Sequence, residues 1–264
     1  MMVFGEVPAT LGLMARQVLG QTAEGRVLPD PNRINEGSEG LAGLCGDLDV
    51  STLLSAYAKG FYPRSTFGPQ KWWAPEERMV LFLEQFQLGS RIARKLAGGF
   101  YRIGFDESFG EVVEACARPN GRQGKRRWIR ADLSAAFREA HDAGVAHSVE
   151  VRDFEGNLVG GAYGLAVGKV FFTEAQFSMR PDAGRMGLAA LNCHLQARGF
   201  LANDAKHLSG TLCQQGFCLV PRGSFNRFLE KACAGPAALG SWRLADGAGA
   251  AERAPQTAAS FGAA

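Results

Sequence analysis

Residues 146–178, AHSVEVRDFEGNLVGGAYGLAVGKVFFTEAQFS, decide the fold that we expect for this chain. Three runs of strand length, AHSVEVR, LVGGAYGLAV and KVFFTEAQFS, are rich in β-branched and aromatic residues and are separated only by short turns. Strands joined by turns this short lie antiparallel to each other. The stretch therefore predicts an antiparallel meander at the centre of a sheet.

The segments on either side of the meander add helices and further strands. Before it, MVLFL and FYRIGF predict strands, SRIARKLAGG and ESFGEVVEACA predict helices, and apolar spacing predicts a helix from Asp132, as cap, to Ala143. After it we expect a loop RPDAGR, a helix MGLAALNCHLQARG, a strand FLAND, a short helix, a strand near FCLVP and a helix from Ser224 to Cys233. Together these predict an α+β, acetyltransferase-like fold with a mixed, largely antiparallel sheet.

Differences in composition along the chain divide it into three parts. Residues 1–77 contain a Pro-, Gly- and aromatic-rich stretch with one helix, capped by Asp49 or Ser51, and predict a small N-terminal lobe. Residues 78–235 predict the acetyltransferase-like domain. Residues 236–264 are rich in Ala and Gly and predict a flexible tail.

Composition excludes several classes of protein. The 264 residues are 46% hydrophobic with a net charge of +3, and they contain neither an apolar stretch of membrane-spanning length nor a secretory signal, so we expect a cytoplasmic protein without membrane contact. Six scattered cysteines without a C-x-x-C pair predict reduced, buried thiols. Cys213 and Cys218, near His194 and His207, match no standard zinc spacing, so we expect no metal.

Basic and aromatic residues concentrate in one segment. From residue 116 to residue 131 there is no acidic residue, and Trp128 is surrounded by Arg118, Arg122, Lys125, Arg126, Arg127 and Arg130. Trp72 and Trp73 also lie beside charged residues, in KWWAPEER. The pattern has two interpretations: an amphipathic surface, or a site where nucleic-acid bases stack within a positively charged groove.

Glu174 stands out on the third predicted strand because Phe171, Phe172 and Phe177 flank it. A carboxylate on a central strand is costly to bury unless it is paired, which makes Glu174 a candidate site residue. Strand alternation allows the alternative that Glu174 faces solvent between inward phenylalanines. In the first case we expect Phe171 and Phe177 to line an apolar pocket.

An ordered series of motifs resembles the bacterial leucyl/phenylalanyl-tRNA–protein transferases. The series extends from Leu28 to Leu229 and comprises LPDP, GLAGLCGDLDVSTLLSAYAKGFYP, WWAPEER, WIR, AHSVEV, LVGGAYG, the Glu174-x-x-Phe-Ser step and CLVPR. The resemblance implies transfer of an apolar aminoacyl group, such as Leu or Phe, from aminoacyl-tRNA to a protein N-terminus, which marks that protein for N-end rule degradation. It implies two lobes and no cofactor, and we expect a monomer.

The resemblance assigns roles to named residues and also shows departures. Arg64 stands where the family has a tryptophan that helps to hold the terminal adenosine, Trp128 keeps the second stacking position, and Thr173 replaces a glycine. The resemblance keeps Asp204 and replaces a glutamine by Lys206.

We expect Glu174 to meet the aminoacyl ammonium group and Asp204 to position the attacking α-amine. If FLAND continues as a strand, Lys206 lies beside Asp204 and donates to the oxyanion while repelling basic acceptors; alternatively it turns to solvent or pairs with Asp204.

Other functions remain open at this stage. A paralog with altered donor or acceptor and a non-catalytic module that binds tRNA or N-termini both fit the departures. A coenzyme A acetyltransferase would place a basic residue or Gln three positions before the first glycine of the loop at 180–187, whereas Arg180 lies four before Gly184.

Overall fold

The computed structural model describes residues 28, 30–31, 34, 39–65, 68–118, 129–235 and 240–243. The described residues form these strands: β1 Leu41–Leu44, β2 Tyr62–Arg64, β3 Lys71–Trp73, β4 Glu77–Phe82, β5 Arg102–Phe105, β6 Ala146–Arg152, β7 Leu158–Val167, β8 Val170–Ser178, β9 Ala202–Asp204 and β10 Cys218–Pro221. They also form these helices: α1 Val50–Ala58, α2 Ser90–Ala97, α3 Phe109–Ala117, α4 Ala131–Asp142, α5 Ala183–Ala197, α6 Gly210–Cys213 and α7 Arg222–Ala232.

The main sheet has seven strands in the order β10-β4-β9-β8-β7-β6-β5. All its neighbouring pairs are antiparallel except β8 and β9, which run parallel because α5 carries the chain back across the sheet between them. The predicted meander is confirmed as β6, β7 and β8. The α+β class and the mixed, largely antiparallel sheet are confirmed as well.

The N-terminal lobe is a three-stranded sheet, β1-β3-β2, with helix α1. Asp49 caps α1, since its side chain accepts a hydrogen bond from the backbone N–H of Thr52 at 2.8 Å. The described residues of the lobe share one core with the main sheet: the Tyr57 ring of α1 meets Phe172 of β8 edge-on, with 5.2 Å between centroids. The predicted boundary between residues 77 and 78 falls just inside β4.

Two apolar layers cover the two faces of the main sheet. One layer, shared with the N-terminal lobe, packs α1, α3 and α4 against the sheet, and the other packs α5 against the opposite face. Trp242 belongs to the second layer: it is 1% exposed and stacks on His147 with 3.8 Å between ring centroids. Trp242 of the predicted tail therefore packs into the core, and the expectation of a flexible tail is wrong at this residue.

Three expected helix starts differ in the structure. Helix α4 begins at Ala131 with Arg130 in the cap position, and Asp132 lies in the first turn, so it is not the cap. Helix α5 begins at Ala183, three residues earlier than predicted, because Asp182 adopts a left-handed conformation, φ 62°, that turns the chain into the helix. Helix α7 likewise begins early, at Arg222.

The six cysteines are free thiols, so the expectation of no disulfide framework is confirmed. Burial is confirmed for Cys116. It is wrong for Cys213, which is exposed at the end of α6, and for Cys218, which is exposed at the start of β10. None of the described helices has the length and apolar character needed to cross a membrane.

Candidate active site

A bulge in β8 positions Glu174. Tyr163 of β7 pairs with Ala175, and the next residue, Gly164, pairs with Thr173, so Glu174 is the additional residue of β8 at this point. Gly164 permits the close approach, because a Cβ atom there would lie 2.1 Å from the carbonyl oxygen of Phe172. The alternative in which Glu174 faces solvent is excluded, since the residue is 8% exposed.

The bulge also separates the two phenylalanines expected in the pocket. Phe177, partly buried, packs on the layer shared with the N-terminal lobe, whose buried members include Phe172. Phe171 lies on the opposite face, fully buried and 5.5 Å from the Trp242 ring centroid. Positions 171 and 177 would share a face of a regular strand, and the extra residue at the bulge places them on opposite faces, so Phe171 does not line a pocket beside Glu174.

Glu174 is the centre of a buried polar cluster. Its Oε2 accepts from the ammonium of Lys206 at 2.6 Å and from the hydroxyl of Tyr57 in a very short hydrogen bond. Lys206 Nζ also donates to the carbonyl oxygen of Thr173 at 2.9 Å, and it lies 5.7 and 5.4 Å from the ring centroids of Tyr57 and Tyr62. Burial lowers the pKa of Lys206, and the nearby Glu174 carboxylate opposes that shift.

Asp204, at the end of β9, is fully buried and forms an ion pair with Arg78 of β4. Arg78 reaches Asp204 with its Nε and Nη2 atoms, and its Nη1 donates to the carbonyl oxygen of Gly60 in the N-terminal lobe. Its guanidinium carbon lies 5.1 Å from the ring centroids of both Tyr62 and Phe225. Arg78 thus ties the two lobes together beneath the site.

Asp204 and Lys206 are neighbours, though not for the expected reason. Strand β9 ends at Asp204, and Lys206 has φ 66°, so the condition that the strand continues through Lys206 is not met. Asp204 Oδ1 accepts from the backbone N–H of Lys206 at 2.9 Å, while the Lys206 side chain turns away to Glu174. Neither the solvent-facing alternative nor a pair between the two side chains occurs.

The outer part of the site is formed by Arg64 and His207. Tyr62 Oη and Arg64 Nη1 each lie 3.1 Å from His207 Nε2. His207 as a residue is exposed, but close packing around its ring, followed by the positive charges of Arg64 and Lys206, lowers the pKa of His207. His207 is therefore neutral at neutral pH, so its Nε2 can accept a hydrogen bond from the Arg64 guanidinium.

The remaining predicted residues lie around this cluster. Trp73 Nε1 donates to the carbonyl oxygen of Arg64 at 2.8 Å, which orients a half-buried ring beside the site, whereas Trp72 is 1% exposed and belongs to the core. Thr173 Oγ1 donates to Asn203 Oδ1 at 2.7 Å and so links β8 to β9. Among the described residues, no group of three or more His, Cys, Asp or Glu is arranged to hold a metal ion.

Only the two ends of the basic segment lie within the described residues. Arg118 is exposed at the end of α3, and Arg130 forms an ion pair with Asp132 at 3.4 Å and donates to the carbonyl oxygen of Gly68. The other members of the segment, Arg122, Lys125, Arg126, Arg127 and Trp128, lie outside the described residues.

Sequence reasoning did not select Tyr57, Tyr62, Arg78 or His207. Tyr57 matched the apolar face of α1, and Arg78 lies within a quoted motif without a pattern of its own that indicates burial. Their partners are 117 to 145 positions away in the chain, as the pairs of Tyr57 with Glu174, of Arg78 with Asp204 and of Tyr62 with His207 illustrate. No local signal reports contacts of such separation.

The fold and the site define an α+β protein in which two buried carboxylates, Glu174 and Asp204, each paired with a cation, lie where a small aromatic lobe meets the main sheet. Comparison with known families is more specific. A family model described as leucyl/phenylalanyl-tRNA protein transferase matches residues 80–230, and the model of that transferase's N-terminal domain matches residues 46–76. The chain belongs to this family.

Individual relatives agree with the family models. A leucyl/phenylalanyl-tRNA–protein transferase of Syntrophotalea carbinolica is 39% identical over 76% of this chain and 87% of its own. The protein of the same name from Pseudomonas syringae is 39% identical over 78% of this chain and 86% of its own.

Solved structures overlap more weakly. L-PGS from Bacillus licheniformis has a TM-score of 0.38 at 13% identity over 63% of this chain and 52% of that one. A GCN5-related N-acetyltransferase from Sphaerobacter thermophilus has a TM-score of 0.32 at 15% identity over 67% of this chain and 55% of that one. The fold assignment rests on the strand order and connections described above.

Proposed function

We propose that this chain is an aminoacyltransferase that moves an apolar aminoacyl group, Leu, Phe or a similar residue, from aminoacyl-tRNA to the N-terminal α-amine of a protein. The observation that carries the proposal is that the family match over residues 80–230 contains Glu174, Asp204 and Lys206, and that the structure joins them through short polar contacts. The proposed consequence for the acceptor protein is N-end rule degradation.

The reaction is an aminolysis and needs no cofactor in this proposal. The neutral acceptor amine attacks the ester carbonyl, the new C–N bond forms, the C–O bond to the ribose breaks, and the proton leaves the amine for the ribose oxygen. Negative charge develops on the carbonyl oxygen in the transition state, where a fixed donor is most effective. Lys206 Nζ has three N–H groups, and two of them are engaged by Glu174 and Thr173, which leaves one for this role.

The structural positions refine the other proposed roles. We propose that Phe177, and not Phe171, contacts the apolar aminoacyl side chain, because Phe177 shares the face of Phe172 and the N-terminal lobe. Asp204 is enclosed by Arg78 and the Lys206 backbone, so it acts on the acceptor amine through the position it gives Lys206. Trp73, Arg64 and the segment from Arg118 to Arg130, including Trp128, are proposed to receive the tRNA end.

A direct transfer assay tests the proposal. The protein is incubated with tRNA charged with labelled Leu and with a peptide that begins with Arg, and label in the peptide is measured, with acetyl-coenzyme A as the alternative donor. We expect transfer from the charged tRNA and none from acetyl-coenzyme A. Tight tRNA binding without transfer would instead support the non-catalytic module, and equal transfer of Asp, Lys and Leu would exclude an apolar pocket.

A further inference from the structure

The ammonium group of Lys206 occupies an enclosure that has the composition of an ammonium-binding site. A carboxylate oxygen of Glu174 lies at 2.6 Å, the carbonyl oxygen of Thr173 at 2.9 Å, and the faces of Tyr57 and Tyr62 at 5.7 and 5.4 Å. Carboxylates, carbonyl oxygens and aromatic faces are the groups that recognise a primary ammonium. The chain therefore fills such a site with its own side chain.

The backbone holds Lys206 in this position. Its φ of 66° is unfavourable for a residue other than glycine and persists only where the surroundings enforce it. Here the Lys206 N–H donates to Asp204 Oδ1 at 2.9 Å, and Asp204 is itself fixed by the buried ion pair with Arg78. The lysine is thus anchored at both its backbone and its ammonium.

The pairing changes what Glu174 can bind. Glu174 Oε2 accepts hydrogen bonds from both Tyr57 and Lys206. Among the described residues none donates a hydrogen bond to Oε1, which can therefore accept an N–H from a substrate. A second ammonium at Oε1 would lie close to the Lys206 ammonium in a poorly solvated site, where like charges repel strongly. An amide N–H carries no charge and avoids that repulsion.

Resting on the proposed transferase function, we propose that Lys206 makes this site select donors whose α-nitrogen is uncharged, namely aminoacyl-tRNA that carries an N-acyl group. The acceptor amine attacks the same ester carbonyl, the C–O bond to the ribose breaks and the proton passes to the ribose oxygen. The product has an acylated N-terminus, so with these donors it does not carry the free N-terminal Leu or Phe of the N-end rule product proposed above. Since it lacks a free α-amine, the product cannot serve as acceptor again.

The test compares phenylalanyl-tRNA with N-acetyl-phenylalanyl-tRNA, made from one preparation, as donors to a peptide that begins with Arg. We expect the native protein to show a kcat/KM about tenfold or more higher for the N-acetyl donor, and Lys206→Gln to shift that ratio toward the free amine by about tenfold or more. Lys59→Gln, on an exposed residue, is the matched control and leaves the ratio unchanged.

A native preference for the free amine, or a ratio unaffected by Lys206→Gln, overturns the inference. The comparison of the two donors with the native protein tests the inference even if Lys206→Gln does not fold. Absence of transfer from both donors overturns the proposed function instead. In that case binding of the two matching 3′-amide adenosine analogues, with and without the N-acetyl group, still decides the inference: tighter binding of the free-amine analogue to the native protein contradicts it.

Discussion

Asp204 shows how burial changes the role of a single residue. A carboxylate that is 0% exposed and paired with Arg78 cannot contact an acceptor amine directly, and its loss leaves a buried guanidinium without its counter-charge. We expect Asp204→Ala to lower the free energy of unfolding by about 3–5 kcal/mol, measured by urea denaturation. Glu114→Ala is the control, because Glu114 and its partner Arg138 are each 43% exposed and such pairs contribute about 0–1 kcal/mol.

The same variant separates the two roles considered for Asp204. If Asp204→Ala is as stable as the native protein and only its transfer activity falls, Asp204 contacts a substrate after all. A stability loss together with an activity loss at temperatures where the variant is folded indicates that it positions Lys206.

At the scale of elements, the β8 bulge links packing to the site. A methyl group at Gly164 would meet the Phe172 carbonyl oxygen at 2.1 Å and the Phe171 ring at 2.8 Å, and neither neighbour can withdraw without moving the bulge. We expect Gly164→Ala to cost about 1–3 kcal/mol in stability and to displace Glu174, so that transfer activity falls further than stability alone explains. Gly43→Ala in β1 has open space around its Cβ atom and should change neither measurement.

The segment at 240–243 is a second element whose effect is structural. Trp242 fills space between α5 and the sheet, its ring stacks on His147, and its backbone N–H donates to Asp106 Oδ2 at 2.7 Å. We expect Trp242→Ala to destabilise the protein by about 3–5 kcal/mol in chemical denaturation, the usual cost of deleting a buried large aromatic side chain. Phe154→Ala, on a residue that is 85% exposed, should stay within about 0.5 kcal/mol of the native value.

At the scale of the whole molecule, two histidines, His147 (buried) and His194 (half-buried), make stability depend on pH. Burial lowers the pKa of His194 to about 4 and also lowers that of His147, which hydrogen-bonds to Asp106 at 2.8 Å. The unfolded chain therefore binds more protons below about pH 6.5, so stability is complete above that pH and is lost as the pH falls toward 4.

The His194 contribution is testable by substitution. Between about pH 6.5 and 4, removing one histidine with a lowered pKa reduces the slope of the free energy of unfolding against pH by up to about 1.4 kcal/mol per pH unit. We expect this reduction for His194→Gln, measured by urea denaturation at several pH values. Cys193→Ala, beside it on α5, should shift the curve in parallel, because burial raises the pKa of that thiol to about 11. An unchanged slope for His194→Gln would contradict the assignment.

The basic composition of residues 116–131 yields a prediction about tRNA. Clustered Arg and Lys without acids bind phosphates, and each lost phosphate contact reduces the slope of log affinity against log salt by roughly 0.7–0.9. We expect Arg126→Ala with Arg127→Ala to reduce the slope accordingly for tRNA binding. Lys231→Ala, an exposed basic residue on α7, is the control; an unchanged slope and affinity in the double variant would favour the amphipathic-surface interpretation.

The sequence by itself determined the elements, the meander and the family, because hydrophobic periodicity, turn residues and ordered motifs are local properties of the chain. It also selected Glu174 from its apolar neighbours. Only the tertiary structure decided that Glu174 is the bulged residue and that Lys206 pairs with Glu174 while Arg78 pairs with Asp204. It also placed Trp242 in the core. These contacts join segments distant in the chain, and their partners are set by sheet register and packing, which no local pattern encodes.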